Sequence, residues 1–392
     1  MRTLVVVRTL KIGGMERVAV SLAEAFAGEG HESHLLYFKS RPDEIRPAHP
    51  GVKVHQFDIT SAMRKSVGGL LTETLARLSN ALFSKTYFLI AGRKGGKLFS
   101  DKLQELEKQY GRFDRIVFRG IGTFEIVWSF NDQRALHVLE NNVSESGGPG
   151  WLYTRKIKAL LDGKNLVTVS TGVAQKVPLL ADQYGFTYKS LSTITNPIPI
   201  GQIRQKMLEK DERIPDTPFL LNVARLVPQK NHRLLLEAYA KAGTELPLYI
   251  LGTGRLRDEL QQYAEDLGIG PNVHFVGQTE NPYPWMKAAT LFVLSSRVEG
   301  LGIVLVEALA CGTPVVSVDC PGGVRDIMKG PLEDYLCPMS PEDLANTINA
   351  TLEAGGYDID ERWLTEFEPQ CVAQQFLYNS DCDAPRSQGI DQ

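Results

Sequence analysis

The run Leu4-Val5-Val6-Val7 is followed by Gly13-Gly14 and then by apolar residues at helical spacing, Val18, Leu22, Ala25 and Phe26, up to Gly28. A β-branched strand, a glycine turn and an amphipathic helix in that order constrain the fold more than any other feature. The helix carries the chain back over the sheet, so the next strand lies parallel to the first. Strand-like runs recur at 33–37, 52–57, 114–118, 135–139 and 166–170, with helix-like segments between several of them. Buried parallel sheets have this pattern, so the first half reads as one doubly wound α/β domain.

Two prolines in Asn196-Pro197-Ile198-Pro199 remove backbone donors and disfavour helix, which marks a connector. Beyond it the alternation restarts, with strands at 219–223, 248–251, 273–276, 291–294 and 315–318 and helices near 231–242, 255–267 and 304–310. The expected architecture is α/β, two Rossmann-like doubly wound domains facing across a cleft. Their bounds are 1–198 and 199–378, and 379–392, polar and aperiodic, reads as a tail. A length of 392 residues leaves each domain enough chain for its own core.

Composition excludes several classes. Lys plus Arg number 43 against 46 Asp plus Glu, a net charge of -3, so no nucleic-acid partner is expected. Five cysteines, an odd number with no Cys-x-x-Cys pair, fit neither a disulfide framework nor a zinc site. Four apolar residues before Arg8 are too few for a signal peptide, and the apolar stretch 303–318 is broken by Glu307, Gly312 and Pro314. A cytoplasmic protein is therefore expected. One local departure is the segment 61–102, with eight basic residues against Glu73 and Asp101, interleaved with Leu70, Leu71, Leu75, Leu78, Leu82, Phe83, Tyr87 and Phe88. Such a basic amphipathic segment can lie on an anionic bilayer; equally, an ordinary helical pair packs its apolar faces on a sheet and leaves its lysines solvated.

The most informative stretch is 295–314. It follows a buried-looking strand and leads into a helix, so Gly300, Leu301 and Gly302 fall at the carboxyl end of a strand, where open α/β sheets bind ligands. Glu299 in the loop and Glu307 on the helix can accept hydrogen bonds from sugar hydroxyls, and the amides between them suit an anion. Taken singly, either glutamate is more often a solvated charge; Glu307, among Val306, Leu309 and Ala310, needs a partner. Upstream, Arg225 follows a strand and Lys230 precedes a helix. Two cations so placed can neutralise a leaving diphosphate, although alone they read as surface charges. Gly252 and Gly254, in a strand–helix turn, are further nucleotide-sugar-binding candidates, although glycines in such turns often serve backbone geometry only.

From about 219 to 328 these segments, in this order, resemble the carboxy-terminal half of the retaining glycosyltransferases of family 4, which use nucleotide sugars on the two-domain GT-B fold. Gly13-Gly14-Met15-Glu16-Arg17 is similar to that family's amino-terminal glycine loop, and Val169-Ser170-Thr171-Gly172-Val173-Ala174 to the segment ahead of its linker. The resemblance implies that Glu299 lies by the donor sugar, that Glu307 holds the ribose hydroxyls and that Arg225 and Lys230 contact the donor diphosphate. It also implies that Gly300, Leu301 and Gly302 present amides to the donor, that Gly13 and Gly14 let the first-domain backbone approach the reacting centre, and that Val276, Gly277 and the Gly322-Gly323 turn line the nucleobase pocket. The family's first-domain histidine stands at the end of a strand. Here His137 falls early in its strand and Glu140-Asn141 occupy the end, so His137, Glu140 and Asn141 are the first-domain candidates.

The expected activity is retaining transfer of a hexose or N-acetylhexosamine from a nucleotide sugar, a UDP-sugar above all, to an acceptor hydroxyl on a lipopolysaccharide core or lipid-linked glycan. The resemblance implies no metal and no cofactor, and a peripheral position at the inner face of the cytoplasmic membrane. Alternative readings are a GT-B sugar-nucleotide epimerase or phosphorylase, or an inactive donor-binding partner subunit.

Overall fold

The computed structural model describes residues 1–11, 13–42, 44–82, 86–141 and 150–378, without the Leu82 side chain. The tail expected at 379–392, and Phe83 and Lys85 of the basic segment, lie outside the described residues. The chain divides into two units. One comprises Met1–Val169, Val173–Pro197 and the chain from Pro369; the other comprises Ser170–Gly172 and Ile198–Glu368.

The first unit holds β1 (Arg2–Val7), β2 (Glu32–Tyr37), β3 (Val52–Gln56), β4 (Arg115–Arg119), β5 (Ala135–Leu139), β6 (Asn165–Thr168) and β7 (Ser190–Thr193) in the order β3-β2-β1-β4-β5-β6-β7. Every pairing is parallel. Val5, Val6 and Val7 of β1 are fully buried, as a central strand covered on both faces requires. On one face a core of Leu4, Val6, Phe99, Phe113, Ile116 and Phe118 packs the sheet against the helix Tyr87–Tyr110.

The second unit holds β8 (Leu220–Val223), β9 (Leu248–Leu251), β10 (Val273–Gly277), β11 (Leu291–Leu294), β12 (Val315–Val318) and β13 (Leu336–Cys337) in the order β10-β9-β8-β11-β12-β13, again wholly parallel. Both sheets thus run outward from their first strand, reverse, and continue on the other side. That reversal opens a crevice at the carboxyl ends of the two central strands, and ligands of open α/β sheets bind in it.

The chain leaves the first unit at Pro197, beside the expected boundary, but the second unit does not continue to 378. The helix Pro369–Tyr378 returns to the first unit and packs on the helix Gly14–Gly28, with the Phe26 and Phe376 rings 6.4 Å apart edge to face. Arg115 donates from Nε and Nη2 to the carbonyls of Phe376 and Leu377, satisfying the open end of that helix. The apolar face of this helix has its partner in the first unit, which local periodicity does not specify.

Candidate functional site

In the second unit the reversal lies between β8 and β11, so the loops after these strands share one crevice. The loop after β8 carries Arg225 and Lys230, and the loop after β11 carries Glu299. The structure brings Lys230 and Glu299 into contact: Lys230 Nζ donates to Glu299 Oε1 at 2.5 Å, and Ser296 Oγ donates to the same oxygen at 2.6 Å. Glu299 is 7% exposed, and its Oε2 has no hydrogen-bond partner among the described residues. Arg225 is exposed and makes no ion pair among the described residues. The crevice therefore presents one open cation, one engaged cation and one carboxylate oxygen free to accept.

One backbone and two side-chain-to-backbone hydrogen bonds hold the two loops to each other. Arg297 N donates to Gln229 O at 2.8 Å, Gln229 Nε2 to Val298 O at 3.0 Å, and Ser295 Oγ to Lys230 O at 3.1 Å. Asn231 is the only non-glycine residue with positive φ among the described residues, at 52°, and its Oδ1 accepts from Arg297 Nε at 3.2 Å. Behind it His232 is buried and neither ring nitrogen has a hydrogen-bond partner among the described residues. Burial, reinforced by the Lys230 charge, pushes its imidazole down to about 4. Burial and the Glu299 charge push the Cys320 thiol up to about 12, so it stays neutral beside the site.

A third loop, after β12, seats Glu299 from the other side. Glu299 N donates to Pro321 O at 3.1 Å, and Glu299 and Gly322 form an isolated parallel bridge. Gly322 has φ 120°, and a Cβ there would stand 1.6 Å from Glu299 O. Gly322 thus shapes the backbone that aims Glu299. Gly252 and Gly254 have a similar part: a Cβ would come within 2.0 Å of Ala224 O at the first and 2.2 Å of Leu226 O at the second. Their closeness to the Arg225 loop is sealed by Ala224 N donating to Leu251 O and Leu226 N to Thr253 O. Val276 and Gly277 end β10, where Gly252 N donates to Gly277 O at 2.8 Å.

Gly302, with φ 97°, starts the helix Ile303–Ala310, whose first amides lie just past Gly300 and Leu301. The positive end of this helix faces the crevice loop it grows from. One turn on, Glu307 is half-buried and accepts from Tyr283 Oη at 3.1 Å. A phenol that holds one carboxylate oxygen orients the other, so Tyr283 belongs with the site.

In the first unit the reversal lies between β1 and β4. Gly13 caps the helix Gly14–Gly28, and a Cβ on Gly14 would meet nothing within 4 Å, so this glycine borders open space. At the end of β4, Gly120 has φ 74°, and a Cβ would stand 2.1 Å from Met15 Sδ, which holds the two loops close. His137 points instead into the core: its ring stacks on Phe118 at 5.1 Å and meets Phe124 edge to face at 5.4 Å, and burial pushes its imidazole down to about 3. Glu140 lies at the end of β5 against the wholly buried Arg119, with Oε1 2.6 Å from Nη2. Asn196 Oδ1 accepts from the same Nη2 at 2.5 Å. Burial raises the Glu140 carboxyl, and the Arg119 charge opposes that rise. Asn141 is exposed.

Sequence reasoning missed Ser296, Tyr283, Arg119 and Asn196. A serine three residues before a loop glutamate has no distinguishing signal, and Tyr283 and Asn196 reach the sites only through the fold. An arginine ending the buried run Ile116-Val117-Phe118 was a readable sign, because a guanidinium there must find a carboxylate.

Residues 204–363, inside the second unit, match the family model described as glycosyl transferases group 1. Over 148 residues the chain is 38% identical to the N-acetylgalactosamine-N,N'-diacetylbacillosaminyl-diphospho-undecaprenol 4-alpha-N-acetylgalactosaminyltransferase of Campylobacter jejuni, covering 38% of this chain and 40% of that protein. The chain spans about two fifths of the length of the curated relatives that it matches at 33 to 38% identity. Among solved structures it is similar to the lipopolysaccharide outer core galactosyltransferase WaaB, with TM-score 0.66 and 20% identity over 97% of this chain and 99% of that one. It is also similar to HepE of Anabaena in complex with UDP, with TM-score 0.61 and 18% identity over 96% of each chain. The chain thus has the fold of the GT-B glycosyltransferases, and its second unit carries a glycosyl transferases group 1 domain.

Proposed function

We propose that this protein is a retaining glycosyltransferase that moves a hexose or N-acetylhexosamine from a UDP-sugar to a hydroxyl of a membrane-borne glycan. The observation that carries the reading is the crevice between β8 and β11, where Lys230 pairs with Glu299 and the loop after β8 also carries the exposed Arg225, unpaired among the described residues. In this reading the Glu299 Oε2 accepts from a donor-sugar hydroxyl while Lys230 fixes the other oxygen. Arg225 and the Lys230 ammonium, which has further protons to donate, stabilise the charge that grows on the diphosphate as the glycosidic bond breaks. The amides from Gly300 to Gly302 add to that stabilisation, and Glu307, oriented by Tyr283, accepts from the ribose hydroxyls. Val276 and Gly277 line the base. These cations act without a metal or cofactor, and substitution proceeds on the donor's front face, with the diphosphate taking the acceptor proton.

The UDP complex of HepE supports uridine as the donor base, and the Campylobacter relative's lipid-linked substrate supports a glycolipid acceptor such as a lipopolysaccharide core or lipid-linked glycan. The enzyme then works at the inner face of the cytoplasmic membrane. The test is a thermal-shift series with UDP, GDP, ADP, CMP and NAD on the full chain and on Arg225→Ala and Glu307→Ala. A UDP-selective rise that both variants weaken is expected, since a ligand of the native state alone raises the melting temperature. Product NMR then reads the anomer: retention is expected. A shift with NAD alone, no shift with any nucleotide, or an inverted product overturns the reading.

A further inference from the structure

Arg119 closes β4 with a charge where the run Ile116-Val117-Phe118 before it is apolar, and the whole side chain is buried. β4 and β5 pair with Arg119 opposite Val138, so Glu140, two residues on, falls on the same face. There Glu140 Oε1 lies 2.6 Å from Arg119 Nη2, which also donates to Asn196 Oδ1 at 2.5 Å, while Asn196 Nδ2 donates to Glu140 Oε2 at 3.4 Å. The three residues tie together the carboxyl ends of β4 and β5 and the stretch that follows β7. Arg119 Nε and Nη1 have no hydrogen-bond partner among the described residues.

Stability does not account for this cluster. A buried ion pair contributes no more than apolar side chains of similar volume, and each unmade guanidinium hydrogen bond costs free energy. Phe118, Val138 and Leu139 around it are wholly buried, so an apolar pair would suit these surroundings. What the ion pair supplies is a carboxylate held still at the strand ends, where open α/β sheets bind ligands. The Glu140 side chain stays 12% exposed, and its Oε2, with one long hydrogen bond, has room to accept another. A second acid acts on it from the helix Gly14–Gly28: Glu16, which accepts from Thr9 Oγ1 at 3.0 Å. His137 on the same strand is neutral in the core, and the neighbouring β6 ends in Thr168, which does not titrate. Arg119 thus supplies the cation that balances Glu140.

We propose that Arg119 and Asn196 are positioning residues that hold the Glu140 carboxylate to accept from a hydroxyl of the bound sugar. The inference rests on the transferase reading and adds to it the first-unit group that meets the sugar. Glu140 takes no proton in this role, which leaves that part to the diphosphate.

The probes are UDP-glucose, UDP-galactose and their N-acetylhexosamine counterparts, read by UDP release from the full chain without acceptor and with octyl glycosides. Arg119→Met with Glu140→Met replaces the pair by apolar side chains. This double variant should melt as the native chain does and bind UDP normally, yet lose turnover about a hundredfold. Full turnover in it overturns the proposal, because a merely structural pair is dispensable once both charges go. Arg119→Met alone leaves burial and Glu16 unopposed, so the acid limb of the pH profile should move up, and Arg119→Lys, which keeps the charge, should bring it back. A loss in Arg119→Met that is equal at every pH overturns the positioning role. Infrared titration of the carboxyl band that Glu140→Gln removes reads the same upward movement without any sugar, and no movement there is equally fatal. A defect shared by hydrolysis and transfer places the hydroxyl on the donor, and a defect in transfer alone places it on the acceptor. The UDP response belongs to the second unit, so a native chain that ignores UDP fails the transferase reading, whereas a double variant with normal UDP binding and full turnover fails this one.

Discussion

Gly322→Ala tests whether the backbone of the third loop aims the Glu299 carboxylate. The new Cβ would stand 1.6 Å from Glu299 O and 2.8 Å from its carbonyl carbon, while real Cβ contacts do not fall below 3.0 Å. The two backbones must therefore part by about 1.4 Å, which breaks the hydrogen bond from Glu299 N to Pro321 O. A lost backbone hydrogen bond costs about 1 kcal/mol and an L residue forced to positive φ about 1 to 2 kcal/mol. With repacking around the opened bridge the total is about 3 to 4 kcal/mol, or roughly 10 °C in the melting temperature of a unit this size. Gly312→Ala is the control: φ is 86° there, but nothing lies within 4 Å of the new Cβ, so only the conformational term of about 1 kcal/mol applies. Guanidinium unfolding measures both variants, and UDP affinity and turnover follow on the folded fraction. We expect Gly322→Ala to lose turnover about a hundredfold, because Glu299 leaves its place beside Lys230 and Ser296. Equal stability of the two variants, or full turnover in Gly322→Ala, refutes the reasoning.

Other expectations follow from the same geometry. Arg225→Ala should lower turnover about a hundredfold to a thousandfold with an unchanged melting temperature, because the guanidinium is exposed and holds nothing in the fold; steady-state kinetics on UDP-sugar decides it. Tyr283→Phe should weaken UDP several-fold and leave CMP discrimination intact if the phenol only orients Glu307, as titration of both nucleotides will read. Folding holds His137 and His232 neutral, at about 3 and about 4 against an ordinary 6.5, so the unfolded chain takes up protons first as pH falls. Stability is complete above pH 6.5 and drops below it until those lower values are reached, by about 2 kcal/mol per histidine between pH 7 and pH 5. Denaturant midpoints at the two pH values give the slope, His137→Leu should flatten it in the first unit, and a slope unchanged by that variant counts against the burial argument.

Much of the candidate site was legible because its residues sit at the ends of strands with strong local signals. Phe219 to Val223 and Leu291 to Leu294 are largely apolar runs bounded by turns, and their strands agree with the runs to within a residue. Once these strands are placed, Arg225, Lys230 and Glu299 must fall at carboxyl ends. β7, Ser190–Thr193, was not legible: three of its four side chains carry hydroxyls and none is buried, so it shows no apolar run. β13, Leu336–Cys337, is two residues long and has no period to detect. The partners Ser296 and Tyr283 are set by loops that meet in space, and Gly322 looked like an ordinary turn until its distance to Glu299 was known.

The amino-acid sequence by itself determined the alternation of strand and helix, the parallel sheets that follow from it, and the placing of charged and glycine residues at strand ends. These depend on spacing along one chain segment, which burial periodicity records directly. Tertiary structure alone decided which unit the helix Pro369–Tyr378 covers and which way the helix Val67–Leu82 faces. Both helices are amphipathic, and periodicity names the apolar face without naming its partner. Phe26 and Arg115 claim the first from the far end of the chain, while Arg64 and Arg77 hold Glu73 inward and so turn the leucines of the second outward.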